Sequence, residues 1–436
     1  MHEVIAFMEI YANTTIYIAG IPRAVSGGPE LLHQLCSELL RRGLDARLWY
    51  PTDDPTPEPT AYRKYHVPYT TKIRLRPENI VIFPETMTEL YSQVGSIRKI
   101  LWWLSVDNYL GHLKYLLTEQ MHHFLGHPLH EVLYLFAPDM QMEHWVQSEY
   151  ARRYVRMNGV PDAQVHFVGD YLQSGTHLGL SGGGGLRTSR QNIIAYNPRK
   201  GMEFTKELMA AAPDLAWTPI EDMTAAEVHD LLSRAKVYID FGNHPGQDRI
   251  PREAAAAGCC VITGRRGAAA NDIDIPIPAS YKFLDDPQAI PSILACIRAC
   301  LVDYEGHIDD FAGYRAMIAE QKAKFRQDIT AALPVRYDVP KRQHVILREG
   351  PHVREILPAL VAQPCVDLIG IWLDRTTPTT VHFNGQTRPG MTLEDITFLD
   401  QEGRLDAVLL EPSAEKEADG LKAAGLQNAA IRWLRW

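Results

Sequence analysis

The stretch DFGNHPGQDRIPREAAAAGCCVIT, residues 240–263, carries a strand end, a polar loop, a helix with an early carboxylate and the start of another strand. Just upstream, Ala235 to Asp240 is a short apolar run rich in β-branched and aromatic residues, which predicts a buried strand of a parallel sheet. The loop that follows then falls at the carboxyl edge of that sheet. Ligands of open α/β sheets bind in the crevice outside the carboxyl ends of the strands, so Asn243, His244, Gln247, Asp248 and Arg249 stand where binding chemistry is expected. Pro251 suits a first helical turn. Glu253 comes two residues later, early enough to point into the crevice, and Ala254 to Ala257 give a small face for close approach to the sheet. Gly258 closes the helix, and Cys259 to Thr263 begin the next strand.

Three further segments belong with this one. In IIAYNPRKGMEF, residues 193–204, a strand runs into Asn197, Pro198, Arg199, Lys200 and Gly201. In VSGGPELLHQLCSELLRRGLDARLWY, residues 25–50, Gly27 and Gly28 follow the first predicted strand and precede a helix. WVQSEYARRYVRMNG, residues 145–159, reads as strand, Ser and helix. In their order and spacing, over residues 15 to 330, the four segments resemble the GT-B glycosyltransferases, particularly the large retaining group acting on bacterial polysaccharides.

That resemblance implies an α/β fold of two Rossmann-like domains facing across a cleft, followed here by a small C-terminal α/β module. It also implies a nucleotide-sugar donor. Arg199 and Lys200 would then hold the donor diphosphate, Gly27 and Gly28 would let backbone N–H groups approach the phosphates, and Glu253 would take the ribose hydroxyls. His244, Asp248 and Arg249 complete the expected donor-binding set. The sequence departs from the family at Pro245, eight positions before Glu253, where the family carries its first acid. His244 is adjacent and Asp248 lies three residues on; either could replace that contact to the transferred sugar, and a retaining or an inverting outcome stays open.

The bulk composition agrees with a multidomain enzyme. The chain has 436 residues, 46% hydrophobic and 22% charged, which is enough for more than one core. A net charge of -9 argues against a nucleic-acid binder and sets Arg199, Lys200, Arg265 and Arg266 against an acidic background where they could hold a diphosphate. Six cysteines with no paired C-x-x-C spacing suit free thiols in a reducing cytosol. No apolar run is long enough to span a membrane and the start has no signal-peptide pattern, so the expected location is cytoplasmic. Peripheral contact with the inner face of a membrane stays open, because lipid-linked acceptors are common for such enzymes. The aromatic residues Trp102, Trp103 and Tyr109 could be read that way, but core packing is the preferred reading.

Along the chain we expect an N-terminal Rossmann-like, acceptor-side domain over residues 1–178, a glycine-rich hinge at 179–190, a nucleotide-sugar-binding Rossmann-like domain at 191–335 and a small Rossmann-like accessory module at 341–436. The module reads as strands at His344 to Leu347, Val366 to Asp374 and Asp406 to Leu410, with helices near Pro351 to Ala362 and Ala414 to Ala424. Its first turn, Arg348-Glu349-Gly350-Pro351, lacks the G-x-G-x-x-G pattern, so an accessory or oligomerising role is expected rather than dinucleotide binding.

Glycosyl transfer needs a grip on the nucleotide, neutralisation of the departing diphosphate and an aligned acceptor hydroxyl. Asp107, placed after the predicted strand Lys99 to Leu104, is the candidate to deprotonate or orient that hydroxyl, with Glu85 and His244 as rivals; a simple turn cap is the plain alternative. Neither a cofactor nor a metal is expected, and Asp272-Ile273-Asp274 is read as a loop. The expected activity is transfer of a hexose or deoxyhexose to a surface glycan or lipid-linked glycan. A sugar-nucleotide epimerase and a non-catalytic scaffold of polysaccharide assembly remain as alternatives.

Overall fold

The structure is a computed structural model that describes residues 8, 10, 11, 13–117, 134–136, 142–172, 190–334, 343–361, 366–373, 380–383 and 386–434. The expected glycine-rich hinge therefore lies outside the described residues, apart from Arg190. The chain divides into two compact units, one over 1–8 and 82–334, the other over 9–81 and 335–436.

In the second unit, β1 (Thr15–Ala19), β2 (Asp45–Trp49) and β3 (Tyr69–Thr70) pair in parallel in the order β3-β2-β1. Between β1 and β2 runs the helix Gly27–Arg41, whose leucines at 31, 32, 35, 39 and 40 are buried at helical spacing. Gly43 ends this segment at a φ of 76°, a conformation that favours a residue without Cβ.

The first unit contains residues 82–84 of β4 (Ile80–Pro84), and β5 (Arg98–Trp103), β6 (Glu143–Val146) and β7 (Val165–Phe167), in that spatial order. Trp102, Trp103 and Tyr109 are buried in its core, so they present no surface to a membrane. The same unit holds a five-stranded sheet of β8 (Gln191–Tyr196), β9 (Ala216–Pro219), β10 (Ala235–Asp240), β11 (Cys260–Gly264) and β12 (Lys282–Phe283). All its pairings are parallel and its order is β12-β11-β10-β8-β9. The chain thus moves outward from β8 to β9, returns to β10 on the other side of β8, and continues outward. That reversal puts a topological switch point between β8 and β10, where the first loops after adjacent strands part to opposite faces and leave a crevice.

The C-terminal residues of the second unit add β13 (Gln343–Arg348), β14 (Val366–Trp372), β15 (Thr380–Phe383), β16 (Gln386–Met391), β17 (Ala407–Leu410) and β18 (Ala430–Trp433). Their order is β15-β16-β14-β13-β17-β18, parallel except for the β15–β16 pair. Within this unit Arg404 is buried and donates to the carbonyls of Tyr65 and His66, while His66 stands 3.0 Å from Asp395. These bonds tie the C-terminal residues to the segment just before β3. Among the described residues, no helix is long and apolar enough to cross a membrane.

Candidate functional site

The site forms at the carboxyl ends of β8 and β10. After β8, Asn197 accepts from the Arg199 N–H at 3.1 Å and turns the chain into the helix Met202–Ala211, with Gly201 as its N-cap at a φ of 61°. After β10, Phe241 and Gly242 run directly beneath that turn. A Cβ on Gly201 would lie 2.5 Å from the Gly242 nitrogen and the Phe241 carbonyl carbon, and a Cβ on Gly242 would collide with the Lys200 Cβ. Two glycines therefore let the loops touch backbone to backbone. The result is that Lys200 reaches across to Asp248, its Nζ 2.6 Å from Oδ2.

Asp248 sits at the N-cap of the helix Arg249–Ala257, and no side-chain cap bond ties it there. His244, one turn of chain earlier, is completely buried. Its Nδ1 lies 3.3 Å from Asp248 Oδ2 and its Nε2 3.7 Å from Asp240 Oδ1, yet neither nitrogen has a hydrogen-bond partner. Asp240 at the end of β10 accepts from the Gly242 N–H and the Tyr238 hydroxyl, each at 2.9 Å. Burial pushes the His244 ring towards neutrality, but Asp248 and Asp240 outweigh it and leave its pKa above the ordinary value. Burial raises the Asp248 carboxyl, but His244 and Lys200 outweigh that and hold it below the ordinary range. The loop is pinned from a third side, where the Ala268 N–H donates to the His244 carbonyl at 2.8 Å and Gly267 leaves no room for a Cβ.

The structure places the expected donor-site residues unequally. Lys200, His244 and Asp248 meet in one cluster. Arg199 is next to it but exposed. Glu253 lies in the second turn of its helix, 3.4 Å from the Arg249 guanidinium. Gly27 and Gly28 are in the second unit, and they form the first helical positions rather than a loop before the helix. Ser26 is the N-cap there, its N–H and carbonyl both bonded to the Tyr62 hydroxyl at 2.8 and 2.7 Å.

Asp107 is the second residue of the helix Val106–Leu116, and the cap is Ser105, whose side chain accepts from the Asn108 N–H at 3.1 Å. The Asp107 carboxylate is engaged on both oxygens, by Asn243 Nδ2 at 2.6 Å and by the Tyr150 hydroxyl at 3.1 Å. Nearby contacts follow the same line: the Val106 N–H donates to the Pro245 carbonyl at 3.3 Å, and the Gln247 N–H to Gln147 Oε1 at 3.2 Å. A Cβ on Gly246 would sit 2.5 Å from the Leu104 carbonyl oxygen. Glu85, the rival of Asp107, is buried beneath this point and accepts from the Leu104 N–H at 2.9 Å; burial pushes its carboxyl up to about 7.

Sequence reasoning missed the Arg252–Asp170 pair of this region. Arg252 is buried and forms a two-pronged pair with Asp170 at 2.7 and 2.8 Å, with a further bond to Gln321 at 3.0 Å. Asp274 accepts from the Glu149 and Tyr150 N–H groups at 2.7 and 3.0 Å, so one acid of the Asp272-Ile273-Asp274 triplet serves as a helix cap. Asp272 pairs with Lys282 at 3.0 Å. Arg265 is turned to the carbonyls of Lys282 and Ala279, and Arg266 pairs with Asp285, so neither extends the cluster. The described cysteines 36, 259, 260, 296 and 300 are free.

No protein-family model and no curated protein matches the chain. Among solved structures it is similar to HepE of Anabaena in complex with UDP, with a TM-score of 0.51 and 11% identity over 73% of this chain and 99% of that one. Sucrose-phosphate synthase from Thermosynechococcus elongatus gives a TM-score of 0.46 and 15% identity over 73% of this chain and all of the other. At such identities the likeness to HepE speaks for the fold alone: the chain has the parallel α/β architecture of GT-B glycosyltransferases, with a third, C-terminal sheet.

Proposed function

We propose that the protein is a glycosyltransferase that moves a hexose or deoxyhexose from a nucleotide-sugar donor to a surface glycan or a lipid-linked glycan. One observation carries this reading: Lys200 is delivered to the switch point of a doubly wound parallel sheet by two glycines that exist to let its loop approach. A cation held there by a carboxylate is pre-positioned for a diphosphate. It can transfer its ion pair from Asp248 to a phosphate without long-range reorganisation. Arg199, exposed one residue away, supplies a second cation to the same group, and Glu253 takes the vicinal ribose hydroxyls. HepE, which shares the fold, was solved with UDP.

Asp107 acts on the acceptor hydroxyl, orienting it or taking its proton. Its bonds to Asn243 and Tyr150 hold the carboxylate in place, and the Asn243 bond is the one an incoming hydroxyl would replace. His244 is fully buried, so its part is to shape the cluster around Asp248 rather than to touch the sugar.

A thermal-shift screen of the purified chain against UDP, GDP, dTDP and CMP sugars tests the reading. The expected result is stabilisation by one nucleotide family, followed by slow release of that nucleotide on incubation with its sugar form. Stabilisation without any turnover across acceptors would favour a nucleotide-binding scaffold, and no stabilisation by any of the four would remove the proposal.

A further inference from the structure

Asp240, His244 and Asp248 come from a strand end, a loop and a helix cap, yet their ligand atoms converge within 4.8 Å of one another. Two features set this group apart from an ordinary polar cluster. The first is the imidazole. A fully buried ring normally spends both nitrogens on hydrogen bonds, whereas neither nitrogen of His244 forms a well-shaped one: Nδ1 stands 3.3 Å from Asp248 Oδ2 and Nε2 3.7 Å from Asp240 Oδ1. The second is charge. Two carboxylates, Asp240 buried and Asp248 only 17% exposed, share one ammonium, so with the imidazole as a neutral ligand an ion would meet a net negative charge.

We propose that these three residues form a binding site for one divalent cation of borderline softness, Mn²⁺ or Zn²⁺. The donor set is one imidazole nitrogen and a carboxylate oxygen from each aspartate, a mixture that suits such ions better than Mg²⁺, which prefers oxygen alone. Asp240 Oδ1 and Oδ2 each keep a lone pair beyond the Gly242 and Tyr238 bonds, and Lys200 holds Asp248 through Oδ2, not Oδ1. Lys200 is the competitor of the metal, since its ammonium neutralises the Asp248 carboxylate that the ion would bind. The approach is from the Asp248 and Lys200 side, where these side chains are 17% and 32% exposed against 0% for His244. This inference does not depend on glycosyl transfer: the ion would bind whatever the chain does with nucleotides.

Isothermal titration of MnCl₂, ZnCl₂ and MgCl₂ into the chelator-treated full-length chain provides the test. One Mn²⁺ or Zn²⁺ per chain is expected, with Mg²⁺ weaker by about tenfold or more. His244→Ala and Asp248→Asn should each weaken binding by about tenfold to a hundredfold, with circular-dichroism melts confirming that the variants fold. Lys200→Gln should tighten binding several-fold, a gain that misfolding cannot mimic. The proposal is overturned if the wild-type chain shows no saturable Mn²⁺ or Zn²⁺ binding, or if it binds and neither Asp248→Asn nor Lys200→Gln alters the affinity.

Discussion

Two buried histidines of the first unit show how differently one side chain can be used. His144, on β6, donates and accepts with both nitrogens occupied: Trp103 Nε1 donates to Nδ1 at 2.9 Å, and the Tyr134 hydroxyl meets Nε2 at 2.9 Å. It stacks against Trp103 and Phe136, and burial drives its pKa down to about 3. His244 is buried as deeply but sits between carboxylates with both nitrogens unsatisfied. The first environment is closed and neutral, and further binding would only disturb it. The second sets the ring between two carboxylates without a well-formed hydrogen bond, and it lies beside a cation at the carboxyl edge of a parallel sheet. Burial alone therefore does not separate structure from function; the balance of partners and charge does.

That contrast can be broken or sharpened by substitution. The largest effect on stability is expected at Arg252, a satisfied charge like His144 but ionic. Arg252→Met strands Asp170 and Gln321 in the interior and should cost about 3–5 kcal/mol in a urea unfolding curve; a loss under 1 kcal/mol would show that the pair is not buried in solution. Glu85 comes next. Its folded carboxyl is pushed up to about 7 from an ordinary 4.5, so the folded chain holds its proton more tightly than the unfolded one. Its contribution is fully present below the ordinary value and is lost as pH rises to about 7, by roughly 3 kcal/mol. Glu143, also pushed up to about 7 by burial, adds a slope of the same sign. Glu85→Gln should therefore reduce, without abolishing, the fall in melting temperature between pH 5 and pH 8. An unchanged fall would mean that Glu85 is not ionising in that window.

Lys200→Met carries the contrast into activity. Turnover or donor affinity should drop by about a hundredfold, with a melting temperature close to wild type. A large loss of stability and an unchanged rate would class Lys200 with Arg252. The smallest effect is expected at His144. A His144→Phe change leaves the Trp103 N–H and the Tyr134 hydroxyl unpaired and should cost about 1–3 kcal/mol of stability, while nucleotide binding stays at the wild-type level. If it instead weakened nucleotide binding as strongly as a change in the Lys200 cluster, the division between the two histidines would fail.

The parts of this picture that were legible in the sequence are local. The run Ala235–Asp240 is a strand with the expected ends because its pattern is continuous and apolar. Gly258 is left-handed at a φ of 93° where a helix had to stop before a strand. The helix after β1 kept its leucine stripe, although it begins at Gly27 rather than Pro29. Lys200 could be named from a basic loop after a strand. What could not be read was convergence. Asp240, His244 and Asp248 are spaced by four, but they span three kinds of backbone, so no helical face predicts their meeting. Asp170 and Arg252 are 82 residues apart, and Asp274 caps a helix 125 residues away. No periodicity carries such pairings. In the C-terminal residues, β15, β16 and β18 were missed; β15 and β18 are short, and β16 contains Pro389 and Gly390, which weaken any strand signal.

The central claim is that the carboxyl edge at β8 and β10 is a nucleoside-diphosphate site whose principal cation is Lys200. Titrating the best-stabilising nucleoside diphosphate into the wild-type chain and into Lys200→Gln tests it most directly. The account predicts saturable one-to-one binding that weakens by about tenfold or more in the variant. Equal affinity in the two proteins, with both folded, would contradict it.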